Sequence, residues 1–282
     1  MNRGRITDEK LWEYCSPDRT LGVRGVFSSG IYLADENGHV IMLHDEKYGG
    51  IPFGIAIDGF GGRGRELSIE AGQTAKLTQG SLCLGQLRIE LYHEPEKHGD
   101  SFCPPELFRE RAGERLRKCE VASLAVYSSA DIGSVDRKSI EDTFAAAAYG
   151  GMELLEKGLK SADEAAISAS LDRLLGLGRG LTPSCDDFIT GVVYALGFYG
   201  HRTGAFHPAY GSLIRLVREK APERTNIFSA AYLISACGGG EFSLMRSCLE
   251  GAQFDALLSV GSSSGADMLS GMCFAAALQK LA

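Results

Sequence analysis

Three carboxylates and a run of hydroxyls lie where two stretches of this chain pass from a glycine-containing loop into an apolar segment. The first stretch, Gly176 to Gly191, reads GLGRGLTPSCDDFITG. Gly176, Gly178 and Gly180 alternate, a pattern that permits positive φ and close approach to another group. Thr182, Pro183 and Ser184 then read as a helix start, and Ser184 with Asp187 has capping-box spacing. Phe188 to Tyr199 is almost wholly apolar and predicts a buried helix. A glycine loop feeding such a helix turns free backbone N–H groups and the positive dipole end toward one spot, which is the chemistry of an anion site. Asp186 is left over. A cap accounts for Asp187, and no local role accounts for its neighbour.

The second stretch repeats the first. From Ser184 the chain reads SCDDFITGVVYAL, and from Ser264 it reads SGADMLSGMCFAA. At a constant offset of 80 residues, Ser184 meets Ser264, Asp187 meets Asp267, Thr190 meets Ser270 and Gly191 meets Gly271. Spacings of three and four put the serine, aspartate and glycine of each copy on one helix face. Glycine inside a helix costs about 1 kcal/mol against alanine, so it usually has a packing reason. The expectation is that the two helices cross at Gly191 and Gly271 and bring their starts to the rim of one pocket.

That expectation names the candidate residues. Asp186, Asp187 and Asp267 are the candidate catalytic carboxylates. Gly178, Gly180, Thr182 and Ser184 from the first copy, and Ser263, Ser264 and Gly265 from the second, are the candidate substrate binders. A third polar helix start between the copies adds Thr225, Asn226 and Ser229. The plainer reading is two well-capped buried helices. It explains Ser184, Asp187, Ser264 and Asp267, but not Asp186, the alternating glycines or Ser262-Ser263. Cys185 lies where a helix dipole would favour its thiolate. No histidine is near it in sequence, so it reads as filler rather than nucleophile.

The elements that must position these residues follow from the rest of the chain. The 282 residues are 44% hydrophobic and 23% charged, ordinary for a globular protein with room for two domains. A net charge of −7 argues against nucleic-acid binding. The first residues lack an apolar core like that of a secretion signal, and no apolar run reaches the ~20 residues a membrane span needs. The expected location is the cytoplasm, and the eight cysteines, none in a CxxC pair, are expected to be reduced.

Thr7 reads as the cap of a helix over 8–15. Short β-rich runs follow at 23–27, 31–34, 40–43, 53–57, 67–70, 75–77, 81–84 and 87–92, separated by turn formers. They predict an antiparallel barrel or sandwich over residues 1–101. Residues 102–282 read as helical throughout, with helices at 106–118, 121–127 and from Ser139 to Lys157, the last with an Asp142 capping box. Further helices are expected from Ser161 to Leu175, over 208–220, 225–237, 241–250 and 252–260, and over 265–281. The fold class is therefore α+β, with a β-rich N-terminal domain and an all-helical C-terminal one.

Two other polar stretches have bland readings. Gly59 to Arg65, GFGGRGR, is either a mobile loop carrying Arg63 and Arg65 to an anion or a hairpin with solvated arginines, and the second is favoured. His93, Glu94, Glu96, His98 and Asp100 match no common metal spacing and read as a solvated linker. His39 and His44 flank a strand and suggest no chemistry.

The two glycine-led motifs carry a family resemblance. GLGRGLTPSCDDFITG resembles the GLGPGLTPSGDD signature of the AllH-type subunit of oxamate carbamoyltransferase, and GSSSGADMLSG resembles that family's Ser-Ser-Gly-x-Asp segment near the C-terminus. Length and motif order agree over essentially the whole chain, the N-terminal half more weakly. Arg179 stands where the family has proline, Cys185 where it has glycine, and Ser262 where histidine is expected. The resemblance implies a role in a multi-subunit enzyme that converts oxalurate and phosphate to oxamate and carbamoyl phosphate in anaerobic allantoin degradation. It implies other carbamoyltransferase subunits as partners, with a phosphate, carbamoyl phosphate or ureido acid as ligand and neither nucleic acid nor membrane. Asp186 would either hold a magnesium ion or orient ureido nitrogens. The alternative is a non-catalytic partner subunit that binds an anionic ligand. A small-molecule kinase is disfavoured, because the loop lacks the lysine of a Walker-type site.

Overall fold

The computed structural model describes residues 2–27, 29–61, 67–78, 80–97, 99–118, 143–178, 180–251 and 253–279. Arg63, Arg65, His98, Cys119, Arg179, the helix expected over 121–127 and the Ser139–Asp142 capping box lie outside these residues. Internal contacts gather the chain into two units. One comprises Met1–Gly99 with Gly240–Arg246, and the other comprises Asp100–Gly239 with Ser247–Ala282.

The first unit is a closed barrel. Its strands are β1 (Asn2–Ile6), β2 (Arg19–Val26), β3 (Gly30–Ala34), β4 (Val40–Asp45), β5 (Gly54–Ile57), β6 (Thr74–Thr78), β7 (Ser81–Leu84) and β8 (Leu87–His93). Around the barrel they run β1-β5-β4-β3-β2-β6-β7-β8, and β1 pairs with β8 to close the ring. The expected antiparallel character holds for most pairings, but β1–β8 and β4–β5 are parallel. β6 and β8 alternate buried and exposed residues as half-buried strands do. Their inward side chains, Ala75, Leu77, Leu87, Ile89 and Leu91, join Leu21, Ile31, Leu43 and Ile57 in the barrel core.

Two expectations are corrected here. Residues 67–70 form a turn rather than a strand, and the strand that completes the ring is NRGRI at Asn2–Ile6, whose polar residues conceal it. The helix α1 (Glu9–Cys15) is capped by Asp8, whose carboxylate accepts the Leu11 N–H at 3.0 Å, and not by Thr7. The segment 240–246 is fastened to the barrel at Gly50. The Gly50 N–H donates to Ser243 Oγ at 2.7 Å, and the Ser243 N–H donates back to the Gly50 carbonyl at 3.0 Å.

The second unit is helical. Its helices are α2 (Pro105–Arg117), α3 (Thr143–Ser161), α4 (Glu164–Leu174), α5 (Ser184–Thr203), α6 (Tyr210–Arg224) and α7 (Ile227–Cys237), then α8 (Ser243–Gly251), α9 (Asp255–Leu258) and α10 (Ser264–Leu278). The first turn of α8 is grouped with the barrel. Asp163, not Ser161, caps α4, because its carboxylate reaches the Ala165 and Ala166 amides while Ser161 bonds back to Lys157. α5 and α10 are buried along most of their length, as their composition predicts. Among the described residues no helix is long and apolar enough to cross a membrane.

Candidate functional site

The α5–α10 pair is built on its glycines. A side chain at Gly191 would place its Cβ 2.1 Å from the Met268 carbonyl oxygen, and one at Gly271 would place it 1.9 Å from that of Phe188. The contacts are reciprocal at the 80-residue offset, since Phe188 corresponds to Met268 and Val192 to Met272. Two further bonds obey the same offset. Thr190 Oγ1 donates to the Asp186 carbonyl at 2.8 Å, and Ser270 Oγ to the Ala266 carbonyl at 2.7 Å. Phe188 and Phe274 pack edge to face, with centroids 5.3 Å apart. The repeat is thus a local pseudo-twofold in three dimensions. Because like ends correspond, both helix starts come together.

At that shared end, hydroxyls from the two copies meet on a carboxylate. Thr182 Oγ1 donates to Asp187 Oδ2 at 2.9 Å and lies 3.1 Å from Ser264 Oγ. Ser264 also hydrogen-bonds the Asp187 carboxylate. Asp187 and Asp267 are both buried, at 1% and 0% exposure. Burial first, then the nearby Asp267 and Asp186 charges, push the Asp187 carboxyl well above the usual range, against the pull of Ser264 and Thr182. The positive ends of two helices offset part of the cost of placing carboxylates here.

Asp186 belongs to a second group. Its Oδ1 accepts the Gly176 N–H at 2.8 Å, and its Oδ2 accepts the Thr225 hydroxyl. Ser229 is fully buried nearby, its hydroxyl without a hydrogen-bond partner among the described residues. Burial raises the Asp186 carboxyl, and the bonds from Thr225 and Gly176 restrain that rise. Asp186 therefore has the structural account that its sequence neighbourhood withheld. Gly176 is the partner that the sequence reading passed over, and its place at the head of the alternating glycines was the available signal.

The remaining candidates distribute as follows. Asn226 caps α7 with its Oδ1, which accepts the Phe228 and Ser229 amides, and its Nδ2 donates to the Leu181 carbonyl at 2.8 Å. Gly178 packs against the Ser184 backbone nitrogen, and Gly180 is exposed with φ 101°. Ser184 opens α5, but Pro183 is the cap residue, so the expected Ser184–Asp187 box does not form. Asp187 is instead held by Thr182 and Ser264. Ser263 precedes α10 without a side-chain bond to it, and Gly265 packs against Leu257 of α9.

Cys185 keeps its expected filler role, while magnesium loses its expected ligand. The Cys185 N–H is taken by the Leu177 carbonyl at 3.1 Å, so the glycine loop itself covers that donor at the start of α5. Burial, with Asp186, Asp267 and Asp187 nearby, pushes the Cys185 thiol far up, which overrides any preference for thiolate from the helix dipole. Among the described residues no three His, Cys, Asp or Glu side chains converge as a metal site, and both Asp186 oxygens already have protein donors. The set does not fit magnesium.

Taken together, a closed small barrel and a helical unit centred on a glycine-crossed helix pair, with acids and hydroxyls gathered at the paired starts, define a two-unit α+β protein. Its family follows from sequence comparison. Residues 174–276 match the model of the oxamate carbamoyltransferase subunit AllH, and residues 5–97 match the AllH family N-terminal domain. The chain belongs to the AllH family, the family of an oxamate carbamoyltransferase subunit, so other subunits are implied. No solved structure matches the chain.

Proposed function

We propose that this chain is a working subunit of an enzyme that moves a carbamoyl group between oxalurate, or a related ureido acid, and phosphate, in cytoplasmic purine-nitrogen catabolism. The atoms balance simply. A phosphate oxygen bonds to the terminal ureido carbon, the bond from that carbon to the nitrogen beside the oxalyl group breaks, and that nitrogen leaves with a proton as the amide of oxamate. The products are carbamoyl phosphate and oxamate.

One observation supports placing this chemistry at the paired helix starts: Thr182 and Ser264, from different copies of the repeat, meet on Asp187. Hydroxyl donors and two helix N-termini suit an anionic substrate, and a carboxyl with a raised pKa suits proton delivery to the leaving nitrogen. Gly178, Gly180 and Ser263 would supply neighbouring polar backbone, with Asp267 across the pair. Positioning and electrostatics would carry the rate. No step is routed through a metal.

A second reading, a non-catalytic partner, is favoured by a different observation: the side chains of Asp186, Thr225 and Asn226 spend polar atoms on one another, on the loop and on the start of α7. The test is reconstitution with the other subunits of the complex. On the first reading Asp187→Asn assembles normally and loses carbamoyl transfer by about a hundredfold or more, a typical effect of removing one acid–base group. On the second, turnover is unchanged.

A further inference from the structure

The turn between β3 and β4 anchors a histidine ring that the turn itself does not need. Asp35 divides its carboxylate between two jobs. Its Oδ1 accepts the Asn37 and His39 amides, each at 2.9 Å, and the Asp35 N–H donates to the His39 carbonyl at 3.2 Å to close the turn. Its Oδ2 serves two side chains, the Tyr14 hydroxyl at 2.7 Å and His39 Nδ1 at 3.0 Å. Asp35 is 8% exposed and the His39 side chain 61%, so anchoring the ring adds little to the core. Burial opposes the Asp35 charge, but the bonds from Tyr14 and His39 bring its pKa down to about 2. An ionised carboxylate can only accept, so Nδ1 carries the proton, and in the neutral ring the lone pair lies on Nε2. Nε2 has no hydrogen-bond partner among the described residues. The Tyr14 ring, with its centroid 5.2 Å away, braces the imidazole. A carboxylate on one ring nitrogen and a bare lone pair on the other is the arrangement of a histidine that serves as base or nucleophile.

We propose that His39 is a phosphoryl-accepting residue, modified at Nε2 by a small acyl phosphate. The openness of the turn selects the electrophile. Acyl transfer needs donors set around a developing oxyanion, whereas a phosphoryl group passing through a loose transition state from a good leaving group asks for less. Carbamoyl phosphate is such a donor, and the proposal rests on the carbamoyl-transfer reading only for that choice. The Nε2 lone pair bonds to phosphorus, and the bond from phosphorus to the carbamoyl oxygen breaks. The electron pair leaves on that oxygen as carbamate, which decays to carbon dioxide and ammonia. No proton has to leave Nε2, because Asp35 keeps it on Nδ1. The positive charge that the ring acquires faces the Asp35 carboxylate, which stabilises it.

The experiment treats the full chain with potassium phosphoramidate, a phosphoryl donor to histidine, and in a second arm with carbamoyl phosphate. Modified residues are mapped by mass spectrometry after an alkaline quench. The internal control is His201, which is also exposed but packs on the edge of Phe206 rather than on a carboxylate. In both arms His39 should gain one phosphoryl group about tenfold faster than His201, and His39→Gln should lose that label alone. Asp35→Asn, which keeps an acceptor but not the charge, should slow labelling about tenfold. If that variant does not fold, the ring 15N shifts of wild-type His39 decide the same point, and an unprotonated Nδ1 at pH 8 would overturn the proposal. So would equal rates at His39 and His201, or a His39 that reacts with phosphoramidate but not with carbamoyl phosphate. A reconstituted complex that makes no carbamoyl phosphate would defeat the carbamoyl-transfer reading, whereas the labelling, done with added donor, decides His39 independently.

Discussion

Gly191 and Gly271 are eighty residues apart in sequence, and each lies against the main chain of the other's helix, at Met268–Met272 and Phe188–Val192 respectively. The relationship is mutual, so neither helix can be moved without losing the fit of both. Everything at the shared start, from Thr182 to Asp267, inherits its spacing from this crossing.

Alanine at either glycine should therefore be severe. Its Cβ would meet a carbonyl oxygen that belongs to backbone and cannot rotate away. Each single variant should lose about 3 kcal/mol or more of unfolding free energy in urea, at or above the usual range for overpacking. The double variant should cost less than the sum, because the first substitution already separates the helices. Strict additivity would show that the two contacts are independent.

Asp187 should make stability fall as pH rises. Its carboxyl is raised in the folded state, so between the ordinary carboxylate range and the folded value the native protein holds a proton that the unfolded chain has lost. Stability then declines with rising pH across that window, by up to about 1.4 kcal/mol per pH unit. Thermal melts from pH 4 to 9 should slope downward on the alkaline side in the wild type and less so in Asp187→Asn. Parallel profiles would remove Asp187 as the source.

His44 should govern the opposite limb. It is fully buried in the barrel, and burial lowers its pKa from 6.5 to about 4. Its stabilising contribution as a neutral ring is present above 6.5 and is lost as pH falls toward 4. At full extent the loss amounts to about 3 kcal/mol. Melts of His44→Gln should lack this slope between pH 6.5 and 4, whatever their starting stability.

Asp35 is the organiser of the β3–β4 hairpin. It accepts the Asn37 and His39 amides at 2.9 Å, the Tyr14 hydroxyl at 2.7 Å and the His39 ring at 3.0 Å. Burial opposes its charge, but these donors win and bring its pKa down to about 2. Its contribution is thus complete above the normal carboxylate range and disappears as pH drops toward 2. Asp35→Ala should cost about 2–3 kcal/mol in denaturant melts at neutral pH, since several donors lose a charged acceptor together. A loss under 0.5 kcal/mol would show that the turn holds without it.

The sequence made the helix crossing legible because the repeat preserved what contact demands: glycine at 191 and 271, and hydroxyls at 190 and 270. It hid the partners of Asp186, since Thr225 lies thirty-nine residues away and reads locally as part of a helix start. Caps were misplaced by a residue or two at Asp8 and Asp163, where two polar residues compete and only backbone direction decides. In the barrel the turns were readable, whereas β1 was not. NRGRI offers neither alternation nor apolar weight, and its place depends on β5 and β8, which come much later in the chain.

That late pairing has a consequence for how the molecule is made. The barrel's first strand in chain order is a stave that waits for its last one, because β1 fills the gap between β5 and β8. Until residue 93 has emerged, those positions present bare strand edges, the surfaces through which chains join one another in error. Deleting residues 2–6 would leave that condition permanent, turning a sealed ring into an open sheet with two adhesive margins.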